Sequence, residues 1–396
     1  MSLSTSSSRK RYAKIAFVIT LGMGLAGGVV NWIADASGVT AANTMGRVSE
    51  ARAALPRILS EEQELVMFFG SSMVRAGFSP RQFDRELNSQ GKNIKSFNFG
   101  FGGLNPFFQD YFSRRIREVF HQEGRTLKLA IIEFNPFQAT RVRWNRAAPV
   151  VDSFLVMLAT DRELWQIARR DPARGALLFT IKYLRNAVSA EMLTSHFGGK
   201  LFPPDRSMLP AEPTALLEKR RGLDEKLDEL FKQDYPDYRG ERWHYGWQGG
   251  GTIPAERSAA TVSIFHQYYA TFQNDITMQN YRLGRILSAD IQQLHFEPAL
   301  IESFIGVVEN FKQFSDKVEI VLLPRNTRWI HYSDAARDRL ADAVQSIERA
   351  TGLAVSDHQA LADITPDMFR DATHLSRYHG GVVYTDYLIK RYGADL

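Results

Sequence analysis

The sequence predicts an α/β fold: a parallel sheet covered by helices on both faces, with a long helical insertion and an N-terminal transmembrane helix. Short apolar runs that end at glycine or proline alternate with amphipathic segments, as expected for buried strands joined by helices. This alternation stops between residues 141 and 284 and then resumes. An uncharged stretch near the N-terminus is long enough to cross a bilayer.

The uncharged stretch, Ile15–Ala34, follows four basic residues within positions 1–14 and ends at Asp35. Positive charge before the stretch predicts that residues 1–14 stay in the cytoplasm and that the chain after residue 34 is extracytoplasmic, in the periplasm of a Gram-negative cell. The alternative is a cleaved signal peptide, because Ala34-Asp35-Ala36 has the small-x-small pattern of a cleavage site. Gly24 and Gly28 have the spacing of closely packed membrane helices, which also arises by chance in a segment rich in glycine and alanine.

After the anchor, residues 35–63 form a predicted polar stalk, helical or partly ordered, in which Pro56 interrupts any continuous helix. The α/β domain is predicted in two parts, at residues 64–140 and 285–396. Residues 141–284 form a helical insertion or lid between them.

Apolar runs and helical periodicity place the individual elements. The first part has strands at Leu65–Phe69, Ile94–Phe99 and Leu127–Phe134 and helices at Pro80–Leu87 and Pro106–Phe120. The insertion has helices at Asp161–Arg169 and Ala215–Lys232. The second part has helices at Pro298–Phe314, Asp334–Thr351 and Tyr378–Tyr392 and strands at Val318–Leu323 and Leu353–Val355.

Composition excludes several classes of function. The absence of cysteine rules out disulfides, thiolate metal sites and a cysteine nucleophile, and it is compatible with export. The net charge of +5 comes from scattered basic residues without a nucleic-acid-binding motif, so no nucleic acid partner is expected. The histidines lack the spacing of metal ligands, and neither a metal nor an organic cofactor is expected.

Two short motifs point to nucleophilic catalysis. Phe69-Gly70-Ser71-Ser72 lies where the first predicted strand meets a helix, and Asp371-Ala372-Thr373-His374 precedes the last helix. A serine, a histidine that activates it and an aspartate that orients the histidine are the elements of a serine hydrolase or acyltransferase. The alternative for Ser71 or Ser72 is a helix cap, a position that serine often takes.

Together these motifs resemble those of the SGNH (GDSL-like) esterase and acyltransferase superfamily, in the same order along the chain. The resemblance implies a three-layer α/β/α, flavodoxin-like domain with Ser72 as nucleophile, His374 as base and Asp371 orienting the base. Asn98 to Gly103 is similar to the second motif and Glu133-Phe134-Asn135 to the third, which implies oxyanion donors at the Gly103 backbone and the Asn135 side chain. Two positions depart from the family pattern: Ser71 replaces an aspartate and Glu133 replaces a glycine.

Within the superfamily the chain more closely resembles membrane-anchored partners of membrane-bound O-acyltransferases. The D-alanyl-transfer proteins of teichoic-acid synthesis share the anchor, a Gly-Ser-Ser motif followed by an arginine, here Arg75, and a His-Leu continuation, here His374-Leu375. Alginate-acetylation proteins are a more distant comparison. The resemblance implies a periplasm-facing O-acyltransferase, or a partner of one, that modifies an envelope glycan or lipid-linked acceptor through an acyl-serine, with Arg75 near the substrate.

Other interpretations remain open. The same residues suit an esterase that removes acyl groups, and the two departures are compatible with a non-catalytic glycan-binding or scaffold protein. Trp243 and Trp247, beside a glycine-rich stretch, either stack on sugar rings or form a small core of the insertion. Arg325 and Arg328 follow a predicted strand end, where solvated surface charge is the simpler interpretation and contact with an anionic polymer the other.

Overall fold

The computed structural model contains one five-stranded, fully parallel sheet and many helices, which confirms the α/β class. The strand order is β2-β1-β3-β4-β5, the order of flavodoxin-like doubly wound sheets. The strands are β1 (Glu64–Ser71), β2 (Ile94–Phe101), β3 (Leu127–Glu133), β4 (Ser315–Leu322) and β5 (Val355–Asp357). The structure describes residues 5–39, 46–201, 213–234, 258–260, 263–264, 267–268, 293–376 and 379–396.

Fourteen α-helices fall in these ranges, together with 3-10 turns at Ala148–Val150, Pro366–Met368 and Gly393–Asp395. The first seven are α1 (Thr5–Ala36), α2 (Gly46–Leu59), α3 (Ser72–Gly77), α4 (Pro80–Ser89), α5 (Pro106–Glu123), α6 (Arg141–Ala147) and α7 (Val151–Leu158). The others are α8 (Asp161–Arg170), α9 (Pro172–Leu184), α10 (Ala190–Leu201), α11 (Thr214–Asp234), α12 (Pro298–Lys312), α13 (Asp334–Thr351) and α14 (Gly380–Tyr392).

Two differences from the sequence predictions have simple causes. Strand β5 lies two residues later than predicted, because it is a three-residue edge strand without a buried apolar run. Pro56 does not interrupt the predicted stalk, since α2 continues through it to Leu59. Pro56 lies in the last turn of α2, and Leu55 and Ile58 beside it are fully buried, so packing holds the turn in place despite the missing N–H.

Alternate residues of the central strands supply two hydrophobic cores, because successive side chains point to opposite faces of a sheet. On one face Phe68 and Ile131 pack with residues of α3, α4 and α14. On the other, the ring of Phe69 lies 6.2 Å from Phe112 of α5 and 5.0 Å from Phe311 of α12. Helices therefore cover both faces, and the carboxyl ends of the strands are left as the edge where motif residues meet.

The chain divides into two compact units. One combines Met1–Ser49 with Arg146–Pro204, and the other combines Glu50–Asn145 with Asp205–Leu396 and contains the sheet. Within the first unit α1 is a 32-residue helix whose segment Arg11–Ala36 is long and apolar enough to span a membrane. The second unit contains all three predicted catalytic residues: Ser72 follows β1, and Asp371 and His374 lie in the loop after β5.

Candidate active site

The junction of β1 and α3 separates the two neighbouring serines into different roles. Ser71 is the last residue of β1 and caps α3, since its Oγ accepts a hydrogen bond from the backbone N of Met73 at 3.1 Å. Ser72 is the first residue of α3, and its Oγ lies 2.8 Å from Nε2 of His374. The capping interpretation therefore holds for Ser71, while Ser72 is in position for proton transfer to a histidine.

His374 is held by the loop that follows β5. Its Nδ1 lies 2.8 Å from Oδ1 and 3.0 Å from Oδ2 of Asp371. The same Oδ1 accepts hydrogen bonds from the backbone N–H groups of Thr373 at 3.0 Å and His374 at 2.8 Å. Asp371 thus orders its own loop and orients the imidazole, so that an Nδ1 proton faces the carboxylate and Nε2 is left to face Ser72.

The electrostatics of the pair favour an ionised Asp371. Burial alone raises the pKa of Asp371, but the charge of His374 and hydrogen bonds from its ring and from two backbone N–H groups leave that pKa well below its usual range. Burial lowers the pKa of His374, and the charge and hydrogen bond of Asp371 outweigh it, so the net shift is upward. An imidazole with a raised pKa is a stronger proton acceptor, as a general base requires.

Glu133, at the end of β3, reaches the residue before the candidate nucleophile. Its Oε2 accepts a hydrogen bond from the backbone N of Ser71 at 2.5 Å, and its Oε1 accepts one from Ser71 Oγ at 2.9 Å. The β1–β3 register pairs Phe69 with Ile132, so the next residues, Gly70 and Glu133, lie side by side. A Cβ atom at Gly70 would lie 2.5 Å from Glu133 Oε2, so only glycine leaves room for the carboxyl group.

Two opposing effects act on Glu133. Burial raises its pKa to about 7, against the hydrogen bonds from Ser71 and Asn135 and the charge of His374, which lower it. Ser71 Oγ already accepts from Met73 and Asn135, so its own hydrogen is donated to Glu133. With a pKa of about 7 both protonation states are populated near neutral pH, and either state keeps lone pairs that can accept from Ser71.

The two predicted oxyanion donors follow β2 and β3, the strands on either side of β1. Asn135 follows β3, and its Nδ2 donates to Ser71 Oγ at 3.0 Å while its Oδ1 accepts from the backbone N of Phe137 at 3.0 Å. Gly103 follows β2 in the left-handed region, with φ of 74°. A Cβ atom at the preceding Gly102 would lie 4.0 Å from Ser72 Cβ, which places this loop beside Ser72.

Helix α3 is fixed against β2 by contacts that sequence reasoning did not assign. Asn98 is fully buried, and its Nδ2 donates to the carbonyl oxygens of Val74 at 3.0 Å and Phe78 at 2.8 Å. At Gly100 a Cβ atom would lie 2.8 Å from Ser71 O and closer still to the backbone N of Arg75. Glycine and asparagine in the second motif thus let β2 approach the backbone of the nucleophile turn and satisfy its carbonyl groups.

The predicted substrate-binding residues have different outcomes. Arg75 lies on α3, one turn beyond Ser72, and is exposed. Trp243 and Trp247 lie outside the residues that the structure describes. Among the described residues no group of three His, Asp or Glu side chains is arranged to hold a metal ion.

Arg325 is not solvated, contrary to the simpler interpretation of its position. It is 4% exposed, and its guanidinium carbon lies 4.2 Å from the centre of the Phe137 ring and 4.7 Å from that of Tyr332. Its Nε and Nη1 atoms have no hydrogen-bond partner among the residues described. Burial lowers its pKa to about 9, against the opposing charges of Asp357 and Glu133. Arg328, in contrast, is exposed, as the solvated interpretation requires.

The geometry therefore brings Ser72, His374 and Asp371 into one hydrogen-bonded chain, with Glu133 and Asn135 bracing the residue before the serine. A motif match could not have found Glu133, because its contact with Ser71 depends on strand register. No protein-family model matches the chain, and no curated protein is similar to it.

Proposed function

We propose that this protein is a membrane-anchored serine acyltransferase of the SGNH-like type that acylates an extracytoplasmic glycan or lipid-linked acceptor through an acyl-Ser72 intermediate. The observation that carries the proposal is the continuous contact from Ser72 Oγ to His374 Nε2 at 2.8 Å and from His374 Nδ1 to Asp371 Oδ1 at 2.8 Å. Both distances lie in the range of working hydrogen bonds in catalytic triads. They support a catalytic protein over a scaffold with a decayed site.

The residues define a two-step transfer. Ser72 Oγ attacks the carbonyl carbon of an acyl donor while His374 Nε2 takes its proton, and Asp371 stabilises the imidazolium. His374 then gives this proton to the leaving group, and the acyl group stays on Ser72 as an ester. In the second step an acceptor hydroxyl gives its proton to His374 and attacks the ester, and the proton returns to Ser72 as it leaves.

The oxyanion formed in each step needs donors aimed at the carbonyl oxygen. The backbone N–H of Gly103 and the side-chain amide of Asn135 are proposed for this role. Asn135 Nδ2 donates to Ser71 Oγ at 3.0 Å and contacts Met73 Sδ at 3.4 Å. Sulfur is a weak acceptor, so the contact with Met73 is the one that the oxyanion is proposed to replace.

Helix α1 supports the proposed location of the reaction. Its apolar segment ends at Ala36, is 6% buried and carries exposed side chains along its length, as a lipid-facing anchor would. Basic residues at its N-terminal side favour a cytoplasmic N-terminus and an extracytoplasmic Ser72. Outside the cytoplasm no acyl-CoA is available, so a membrane-bound O-acyltransferase is the proposed source of the acyl group.

Fluorophosphonate labelling of the full-length protein in detergent tests the nucleophile. We expect wild-type protein to be labelled and both Ser72→Ala and His374→Ala to lose labelling, because the probe reacts only with an activated serine. His331→Ala is the matched control: His331 is exposed, its Nε2 contacts the carbonyl of Arg328, and labelling should be unchanged. A well-folded wild-type protein that is not labelled, or labelling that survives Ser72→Ala, contradicts the proposal.

Transfer and hydrolysis are separated by the fate of the acyl group. Protein acylated with p-nitrophenyl acetate is mixed with an oligosaccharide acceptor, and the products are identified by mass spectrometry. Acetylated sugar in excess of free acetate supports transfer. Free acetate alone, at a rate that the sugar does not change, favours an esterase.

A further inference from the structure

Helix α9 contacts α1 within the segment that is apolar enough to cross a membrane. Asn31 Nδ2 donates a hydrogen bond to the carbonyl oxygen of Leu184 at 3.0 Å. A Cβ atom at Gly27 would lie 2.8 Å from the same oxygen, so glycine permits the close approach. Gly24 and Gly28, the pair with membrane-packing spacing, have no atom within 4 Å of an added Cβ. The close contact of α1 is therefore made by Gly27 and Asn31 rather than by Gly24 and Gly28, and its partner is α9.

The contact with α1 sets the depth of the C-terminal end of α9 in a bilayer that α1 spans. A helix rises about 1.5 Å per residue, so Asn31 lies about 4–5 Å and Gly27 about 10 Å before the end of the uncharged stretch at Ala34. The carbonyl of Leu184, which contacts both, lies at that level. If Ile15–Ala34 fills the hydrocarbon region, the C-terminal end of α9 lies about 5–10 Å on the hydrocarbon side of the boundary with the headgroups, which is the depth to which interfacial helices bury their apolar face.

The exposed side chains of α8 and α9 are of the types found where a membrane meets water. In the part of the chain that the structure describes, four large hydrophobic side chains outside α1 are exposed, and all four lie on α8 or α9: Trp165 (60%), Leu177 (40%), Tyr183 (60%) and Leu184 (40%). Aromatic contacts join them, since Phe179 lies 5.3 Å from Trp165 and 6.2 Å from Tyr183 between ring centres. Tryptophan and tyrosine are enriched where membranes meet water.

Basic residues accompany this surface. Trp165 shares one face of α8 with Arg162, Gln166 and Arg169. From Asp161 to Leu184 the sequence has five basic and three acidic residues. Positive charge beside exposed aromatic and leucine side chains is the pattern of helices that lie on a membrane surface and are attracted to anionic headgroups.

We propose that α8 and α9 form a second membrane-binding element, which lies in the outer headgroup region of the bilayer that α1 spans and binds anionic lipid through Arg162 and Arg169. We call this segment, Asp161–Leu184, the lipid-facing hairpin. This proposal rests on the proposed membrane anchor and is independent of the chemistry of Ser72. The hairpin holds the end of α1 through Asn31, so the anchor is fixed to a folded surface element and does not pivot freely at residue 36.

Fluorescence quenching in lipid nanodiscs tests the lipid-facing hairpin on the full-length protein. The chain has no cysteine, so single substitutions Leu177→Cys and Trp165→Cys give unique sites for an environment-sensitive dye. Val29→Cys, an exposed position within α1, reports the anchor, and Ala341→Cys, an exposed position on α13, reports background quenching. The quenchers are lipids that carry a nitroxide in the headgroup region and iodide in the aqueous phase.

We expect the dyes at Leu177 and Trp165 to be quenched by the nitroxide lipid at least twofold more than the dye at Ala341, and to be less accessible to iodide. Quenching at Val29 with no excess at Leu177 and Trp165 overturns the hairpin proposal and leaves the anchor intact. Absence of lipid quenching at Val29 as well refutes the anchor, and the hairpin proposal with it. Excess quenching that persists unchanged in nanodiscs of neutral lipid overturns the part assigned to Arg162 and Arg169.

Discussion

The carboxyl group of Glu133 is hydrogen-bonded to both the backbone N–H and the hydroxyl group of Ser71, at 2.5 and 2.9 Å. These are the two positions at which the chain departs from the motifs that it resembles, and they meet in space. Ser71 lacks a carboxylate, and Glu133 on the neighbouring strand supplies one. The departures therefore form one compensating pair beside Ser72.

If Glu133 and Ser71 act as one unit, their substitutions are coupled. We expect Glu133→Gln and Ser71→Ala each to slow fluorophosphonate labelling of Ser72 about tenfold or more, because each breaks the network that fixes the nucleophile turn. The double variant should be no slower than the slower single variant. The measurement is the labelling rate constant of wild type, both single variants and the double variant at one pH. Glu319→Gln on β4 is the control for loss of a carboxylate elsewhere in the sheet. Independent, multiplicative effects would contradict the coupling.

The titration of Glu133 also predicts a stability effect. Burial raises the pKa of Glu133 in the folded protein from 4.5 to about 7, so the fold favours the protonated carboxyl group. Protonated Glu133 therefore contributes its full share of the free energy of unfolding below pH 4.5, and this share is lost as the pH rises through 7. Glu133→Gln has no ionisation at this site. We expect the free energy of unfolding of wild type, relative to Glu133→Gln, to fall between pH 4.5 and 8 in urea titrations. A constant difference across this range would show that burial does not raise the pKa.

Asp371→Asn tests the orientation of His374. The asparagine oxygen can still accept the backbone N–H groups of Thr373 and His374, so the loop should keep its shape. Its amide nitrogen would donate to His374 Nδ1 and place the ring proton on Nε2, facing Ser72. We expect labelling to slow by about 10³–10⁴-fold at pH 7, with little change in melting temperature. A loss under tenfold would mean that Asp371 is not the orienting group.

The pH dependence of labelling reports the His374–Asp371 pair. Burial lowers the pKa of His374, but the charge of Asp371 and its hydrogen bond raise it above 6.5 overall, and only neutral His374 accepts the proton of Ser72. We expect the half-maximal labelling rate of wild-type protein to lie above pH 6.5. In Asp371→Ala the residual rate should reach half-maximum at a lower pH. If labelling reached half-maximum at the same pH in both proteins, Asp371 would not be what raises the pKa of His374.

Gly100→Ala tests the fit between β2 and α3. An added methyl group would meet the backbone of Arg75 and of Ser71, neither of which can move without displacing Ser72. We expect a loss of about 1–3 kcal/mol in the free energy of unfolding, together with slower labelling. Gly222→Ala is the matched control, because Gly222 lies inside α11 with nothing near an added Cβ and alanine favours helix. Equal effects of the two substitutions would contradict the argument.

Arg325→Met tests the cost of a buried guanidinium group whose Nε and Nη1 atoms have no hydrogen-bond partner among the described residues. Methionine keeps apolar contact with Phe137 and Tyr332 and removes the desolvated charge. We expect the free energy of unfolding to be unchanged or higher by about 1 kcal/mol or more. Arg328→Met, at an exposed position, should change it by less than about 0.5 kcal/mol. A clear loss of stability for Arg325→Met would show that the guanidinium makes a stabilising contact.

The sequence predicted the strands that are followed by glycine or proline, because a buried apolar run stopped by either residue has few other structures: β1, β2 and β3 lie within two residues of expectation. It also predicted that Ser72, His374 and Asp371 would meet, since parallel strands bring their carboxyl ends to one edge. It could not predict the contact of Glu133 with Ser71, which depends on the register between β1 and β3. The burial of Arg325 likewise depends on tertiary contacts, with Phe137 after β3 and with Tyr332 at the other end of its own loop.

The position of the triad residues along the chain has a consequence for biosynthesis. Ser72 precedes His374 by 302 residues, while Asp371 and His374 are three residues apart. At about 5–20 residues per second, Ser72 is synthesised roughly 15 to 60 s before its base. In the proposed mechanism the Ser72 hydroxyl group lacks its base during that time and is no more nucleophilic than that of any other serine. On this proposal a nascent or truncated chain carries no activated Ser72, and activation begins only when the loop with Asp371 and His374 docks at the end of the sheet.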